Sequence, residues 1–139
     1  MLKSKKIREI KFPIFKDRRG NLSFFESESL IPFKINRVFW IYDVPSGEVR
    51  GSHANKNLEE VIIALSGSFK IVVRDLKNKE IEFQLSHPSI GLYIPKLTWR
   101  GIRDFSTNAT CLIIASTPYN EKDYVRSFNN FKKMVNERE

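Results

Sequence analysis

"GEVRGSHANKNLEEVIIALSG", residues 47–67, places His53, Asn55 and Glu60 between Gly47 and Gly67 and leads into the apolar block "VIIAL". Three readings compete for it: a metal cradle, an acid–base site, or the plain edge of a strand. Residues i and i+2 of a strand share a face, so His53 and Asn55 point to the same side of any sheet that holds them. The apolar run that follows marks that sheet as part of a core.

Outward from this stretch, short β-rich runs recur. Strands are predicted near "LSFF" (22–25), "VFWIY" (38–42), "VIIAL" (61–65), "FKIVV" (69–73), "IEFQL" (81–85), "GLYI" (91–94) and "CLIIAS" (111–116). "DVPSGE" and "DLKNKE" read as exposed turns, and Ser66-Gly67-Ser68 as a tight hairpin. This spacing predicts an all-β sandwich or barrel. The period changes only after Asn120, which reads as an N-cap with Glu121 and Asp123 in the first turn. Tyr124, Phe128, Phe131 and Val135 then form the apolar stripe of a short C-terminal helix docked on the sheet. No repeat, low-complexity tract or linker interrupts residues 1–139, so a single domain is expected.

A chain of 139 residues buries enough surface to fold without disulfide or metal staples. Its one cysteine, Cys111, excludes an internal disulfide and sits in an apolar run as a buried thiol. "MLKSKKIREIKF" lacks the apolar core of a signal peptide, and no run approaches the roughly 18 apolar residues of a membrane span. A cytoplasmic protein with no membrane partner is expected. The net charge of +8 suits an anionic partner. Basic residues cluster at Lys3, Lys5, Lys6 and Arg8 but otherwise spread along the chain, as on a solvated surface. Nucleic acid, an acidic surface and a phosphorylated small molecule all fit that charge; no nucleic acid is expected, because the W-R and H-x-N spacings have no reason to be there in a simple nucleic-acid binder.

The spacing G-x5-H-x-N-x4-E-x6-G is close to the first motif of cupin jelly rolls, where a second histidine stands at the position of Asn55. Metal cupins ligate through both histidines and the glutamate. Asparagine is a poor ligand for zinc, iron or copper. The only other histidine, His87, falls in the turn-like "LSHPSI", and "GLYIPKLTWRGI" brings no further ligand. No metal and no cofactor are expected. His53 is left as an unmetallated imidazole that titrates near neutrality, as a general base should. Arg50, Lys56 and Arg100 supply anion-binding charge, and Trp99 a flat apolar face.

Several blocks, in order, resemble the sugar 3,4-ketoisomerases of the WxcM-like cupin family: "FKDRRGNLSFFE", "IPFKINRVFWIYDVPSGEVRGSHANK", "GLYIPKLTWRGIRDFS" and "IIASTPYNEKDYVRSFNNF". The resemblance implies a metal-independent jelly roll, usually a homodimer with exchanged N-terminal strands. It implies an isomerase that moves the ketone of dTDP-4-keto-6-deoxy-D-glucose from C4 to C3 through an enediol or enediolate. The product would feed an aminotransferase making a 3-amino-3,6-dideoxyhexose for O-antigen or another surface glycan. Carried onto this sequence, the resemblance makes His53 the proton carrier. Arg100 and Arg19 would polarise the ketone or hold the diphosphate, and Arg50, Asn55, Lys56, Trp99 and Arg37 would contact substrate.

Three departures from the family pattern stand out. Asn55 replaces the second histidine and positions groups without relaying protons. Glu60 replaces a glutamine and is expected to raise the pKa of His53 if the two are close. Phe39 and Trp40 replace paired tyrosines, removing hydroxyl contacts. The alternatives are an epimerase or isomerase on a related nucleotide sugar, or a non-catalytic sugar-nucleotide binding cupin. The galacto or gluco configuration at C4 of the product is not legible in the sequence.

Overall fold

The computed structural model describes residues 6–138; Lys3 and Lys5 of the basic cluster lie outside the described residues. Two five-stranded antiparallel sheets face each other. Sheet one runs β1 (Arg8–Lys11), β9 (Ile90–Ile94), β6 (Glu60–Ser66), β11 (Thr110–Ala115), β4 (Arg37–Tyr42). Sheet two runs β12 (Tyr124–Val125), β5 (Arg50–Asn55), β10 (Trp99–Arg103), β7 (Phe69–Arg74), β8 (Glu80–Leu85). A separate ribbon pairs β2 (Ile14–Asp17) with β3 (Gly20–Ser23), and α1 (Phe128–Glu137) follows β12. This is the all-β jelly-roll plan with a short C-terminal helix that the sequence predicts.

From β4 to β11 every connection crosses to the opposite sheet except the β7–β8 hairpin. That hairpin is closed by Asp75, whose carboxylate accepts the backbone N–H groups of Lys77 and Lys79, each at 2.9 Å. Ser66-Gly67-Ser68 is therefore not a hairpin. It is an arch that carries the chain from β6 in sheet one to β7 in sheet two. Gly67 has φ +65° and lies against Ala109 and Ser106. The arch is tied to the 104–109 loop, with Ser68 N–H donating to Ser106 Oγ at 2.8 Å. A positive-φ glycine between two apolar runs reads the same in an arch as in a hairpin.

The core follows from strand alternation. Ile62 and Ala64 of β6 face the interior between the sheets with Phe69, Ile71, Ile102 and Ile113. Val61 and Ile63 face outward, where Ile31 and Phe33 cover them. Both faces of β6 are thus occupied, which explains its unbroken apolar run. On the outside of sheet two, α1 packs Phe131 against Ala54, Trp99 and Val125.

The C-terminal helix differs from expectation. Asn120 caps only a single 3₁₀ turn, Glu121–Asp123, and the helix proper starts at Phe128 under an N-cap from Ser127. Tyr124 is not on the helix. It lies on β12, opposite Asn55 of β5.

Candidate active site

Three adjacent strands of sheet two build the site. His53 on β5 is the Cα partner of Arg100 on β10, and β12 flanks β5 on its other side. Alternation then divides the side chains. Ala54, Trp99 and Val125 share the face under α1, while their sequence neighbours His53, Arg100 and Tyr124 belong to the other face. His53 is 6% exposed and Arg100 3%.

Glu60, from sheet one, crosses the interior to Arg100. Its carboxylate accepts from Nε at 2.6 Å and from Nη2 at 3.0 Å, a buried bidentate pair. Nη1 of Arg100 donates to the Gly51 carbonyl at 3.0 Å. Gly51 has φ +61°, and a Cβ there would collide with Arg100 Nη1 and lie 3.7 Å from His53 Nε2. The glycine lets the β5 backbone pass close over the guanidinium.

Burial holds the His53 pKa down at about 4. The positive charges of Arg100 and Arg126 add to the lowering, and Glu60 only partly offsets it. Glu60 pulls the His53 pKa upward, as the sequence predicts, but burial and the two guanidinium charges outweigh it. His53 is neutral at pH 7, and its Nδ1 is buried without a hydrogen bond.

Tyr124 completes the wall. Its ring meets the His53 ring edge-on, centroids 4.9 Å apart. Its hydroxyl oxygen accepts from Arg37 Nη2 at 3.2 Å. Arg37 stacks over Phe39 and Tyr119, at 4.5 and 5.5 Å from their ring centroids, and its buried Nε makes no hydrogen bond. Arg126 lies over the other side of this cluster, 4.7 Å from the Tyr124 ring centroid, and is paired to Glu121. Beneath, Asp123 is buried and accepts from Asn55 Nδ2, both N–H groups of Asn57 and the Leu58 backbone.

Of the residues singled out from sequence, His53, Asn55, Arg100 and Arg37 come together, and Lys56 follows directly at the end of β5. Three do not join them. Trp99 is packed against Phe128 and Phe131, centroids 5.4 and 5.8 Å away. It cannot offer a face beside His53, because neighbours on a strand point to opposite sides. Arg50 sits at the far end of β5, on a shallow surface with Trp40, Tyr42 and Glu48. Arg19 is at the tip of the ribbon, bound to Asp17 at 2.9 Å. Arg100 itself is fully engaged with Glu60 and Gly51, so it is not a free charge for a diphosphate. Trp40 is exposed on the outer face, so the tyrosine it replaces would not have reached this wall either. Sequence reasoning missed Tyr124, Tyr119, Asp123 and Arg126. All four lie in the block "PYNEKDYVR", whose second half also fits the start of a helical period.

Among the described residues, no group of three or more His, Cys, Asp and Glu side chains is placed to hold a metal ion. His87 is held in its turn by Ser89, whose backbone N–H and Oγ approach Nδ1 at 3.2 and 2.7 Å.

A family model described as WxcM-like, C-terminal matches residues 5–136. The chain is 40% identical over 126 residues to the TDP-4-oxo-6-deoxy-alpha-D-glucose-3,4-oxoisomerase of Aneurinibacillus thermoaerophilus, covering 91% of this chain and 90% of that one. It is similar to the crystal structure of a 3,4-ketoisomerase from Helicobacter canadensis, with TM-score 0.89 and 40% identity over 94% of this chain and 97% of that one. It is also similar to the 3,4-ketoisomerase QdtA of Thermoanaerobacterium thermosaccharolyticum, solved as a histidine-to-asparagine mutant in complex with TDP-4-keto-6-deoxyglucose. There the TM-score is 0.91 at 36% identity, over 99% of this chain and 98% of that one.

Proposed function

We infer that this chain, which belongs to the WxcM-like, C-terminal family, is a nucleotide-sugar 3,4-ketoisomerase that moves the ketone of TDP-4-keto-6-deoxyglucose from C4 to C3. The observation that carries the chemistry is His53, a buried neutral imidazole set in a wall of guanidinium and phenol groups. The C4 ketone acidifies the C3 proton. Neutral His53 takes that proton, an enediolate forms, and the imidazolium returns the proton at C4. An arriving diphosphate opposes the positive field of Arg37, Arg100 and Arg126, so substrate binding raises the basicity of His53 when it is needed.

Arg100 acts from beneath: paired to Glu60, it donates to the Gly51 carbonyl and adds to the burial that keeps the free imidazole neutral. Arg37 and Lys56 are the cations left to meet the diphosphate, since among the described residues neither is paired to a carboxylate and Arg37 donates only to the Tyr124 hydroxyl. Asn55 is held to Asp123 and positions the end of β5. The 3-keto product suits an aminotransferase that makes a 3-amino-3,6-dideoxyhexose for a surface glycan. The two sheets share one interior, which supports reading residues 1–139 as a single cupin-like domain. No helix among the described residues is long and apolar enough to cross a membrane, and a cytoplasmic location fits a nucleotide-sugar substrate.

The protein acts as a homodimer that exchanges its N-terminal ribbons. The support is the β2–β3 ribbon, which among the described residues pairs with no other strand and exposes Phe15 at 61% and Leu22 at 58%. A second copy would cover these side chains and carry Arg19 toward a neighbouring site.

Incubation with TDP-4-keto-6-deoxyglucose in deuterated water, followed by NMR of the sugar, tests the function. Ring deuterium with a 3-keto product is expected. Inverted ring centres without ketone migration point to an epimerase, and absence of exchange to a binding protein.

A further inference from the structure

We propose that Tyr124 is a second catalytic residue, which carries the oxygen-bound proton of the isomerisation from O3 to O4 while His53 carries the carbon-bound one. The inference rests on the ketoisomerase reading and extends it.

The bookkeeping of the reaction requires such a group. The substrate has C3–H, O3–H and a C4 ketone; the product has a C3 ketone, C4–H and O4–H. One proton leaves C3 and one arrives at C4. A second proton leaves O3 and one arrives at O4, and the electron pair of the broken C3–H bond becomes the new C4–H bond. No electrons are gained or lost overall, and no co-reactant is needed. His53 satisfies the carbon account with one imidazole. It cannot serve the oxygen account while it holds the carbon-derived proton. Asn55 has no exchangeable acid–base function near neutral pH.

A hydroxyl that donates and accepts at once meets the need without ever ionising. Tyr124 has the right placement for this. Its ring stands edge-on to His53, centroids 4.9 Å apart, so the phenol and the imidazole serve one substrate position. Arg37 Nη2 donates to its oxygen at 3.2 Å. That bond occupies one lone pair, leaving the phenolic proton to be donated and a second lone pair to accept. The positively charged donor also stabilises the partial negative charge that the phenol oxygen carries during the concerted transfer. The neighbouring Tyr119 is different: its O–H is committed to Glu121 at 2.6 Å. Among the described residues, Tyr124 has no such acceptor for its own proton. Its backbone is fixed by pairing with Asn55 and by Asp123 beside it.

The test is Tyr124→Phe, which keeps the ring and its contact with His53 and removes only the oxygen. Three quantities are measured beside the wild type: 3-keto product formed, deuterium entering C3 of recovered substrate in deuterated water, and TDP affinity by calorimetry. We expect product formation to fall about 10²-fold or more, with C3 exchange reduced at least tenfold less and TDP affinity within threefold. The enediolate would then form and return to substrate, because the way forward needs the oxygen relay. Product formation within threefold of wild type overturns the proposal. So does an equal loss of exchange and product, which would make Tyr124 a positioning residue for His53, and so does a loss of TDP affinity that accounts for the lost turnover. If the wild type itself forms no 3-keto sugar, the ketoisomerase reading fails, which is a separate outcome.

Discussion

His53 owes its chemistry to burial and to two neighbours, Arg100 and Gly51. Burial in the β5–β10–β12 layer removes water, Arg100 opposes protonation, and Gly51 allows the two to approach. A pKa of about 4 has a direct kinetic consequence. The free-enzyme profile, kcat/KM, should stay level from neutrality down to roughly pH 5 and fall as pH drops through about 4, whereas an ordinary histidine base would titrate near 6.5. Stability follows the same group. Between 6.5 and about 4 the unfolded chain binds a proton that the folded chain refuses, so His53 contributes stability that is complete above 6.5 and lost as pH falls through about 4. His53→Asn should lower turnover about 10²-fold or more with TDP binding kept, and should remove the pH 4 limb from any residual rate. A limb near 6.5 in the wild type would show that burial does not depress the His53 pKa.

At the scale of elements, β12 matters most for its size. Two residues long, it turns Tyr124 toward His53 and Val125 toward α1. Such a strand has little stability of its own. Its anchor is Asp123, which gathers two backbone and two side-chain N–H groups from residues 55–58 at 2.9–3.2 Å. Asp123→Ala leaves those donors short of acceptors in a buried place. The expected cost is roughly 3 kcal/mol, or about 10 °C in Tm. Turnover should fall as well, because Tyr124 and Asn55 lose their common support. Thermal melting and product formation measured together check this; an unchanged Tm would mean that β12 is held by α1 alone.

For the whole molecule, the unpaired feature is the β2–β3 ribbon. Phe15 stacks on Phe24 at 6.1 Å between ring centroids, but Phe15 and Leu22 remain largely exposed and Ile14 and Phe24 partly so. An apolar two-stranded ribbon standing alone is marginal in water, and its open edges invite another sheet. A dimer is therefore expected in light scattering at micromolar concentration. The double substitution Phe15→Glu and Leu22→Lys should give a folded monomer. If the wild type is already a monomer at that concentration, exchange of ribbons is wrong.

The sequence by itself determined the strands whose pattern is local: the apolar run of β6, the alternation of β7, and the shared face of His53 and Asn55. It also held the rule that separates Trp99 from Arg100, since neighbours on a strand always part. The rule applies only once the strand is known, and "WRGIR", with its glycine and two arginines, does not announce one. Tertiary structure alone decided the rest. The Ser66–Ser68 turn joins two sheets, because a turn's local geometry does not name the partners of the strands it connects. Glu60 meets Arg100 across the interior, a contact between strands 40 residues apart, and the burial that sets the charge state of His53 comes from the same packing of the two sheets. Tyr124 and Phe128 fit one helical stripe in sequence. Even so, Asp123 pulls the chain onto the end of β5 before the helix can start, because buried hydrogen bonds to four donors outweigh the small preference of a few residues for a helical turn.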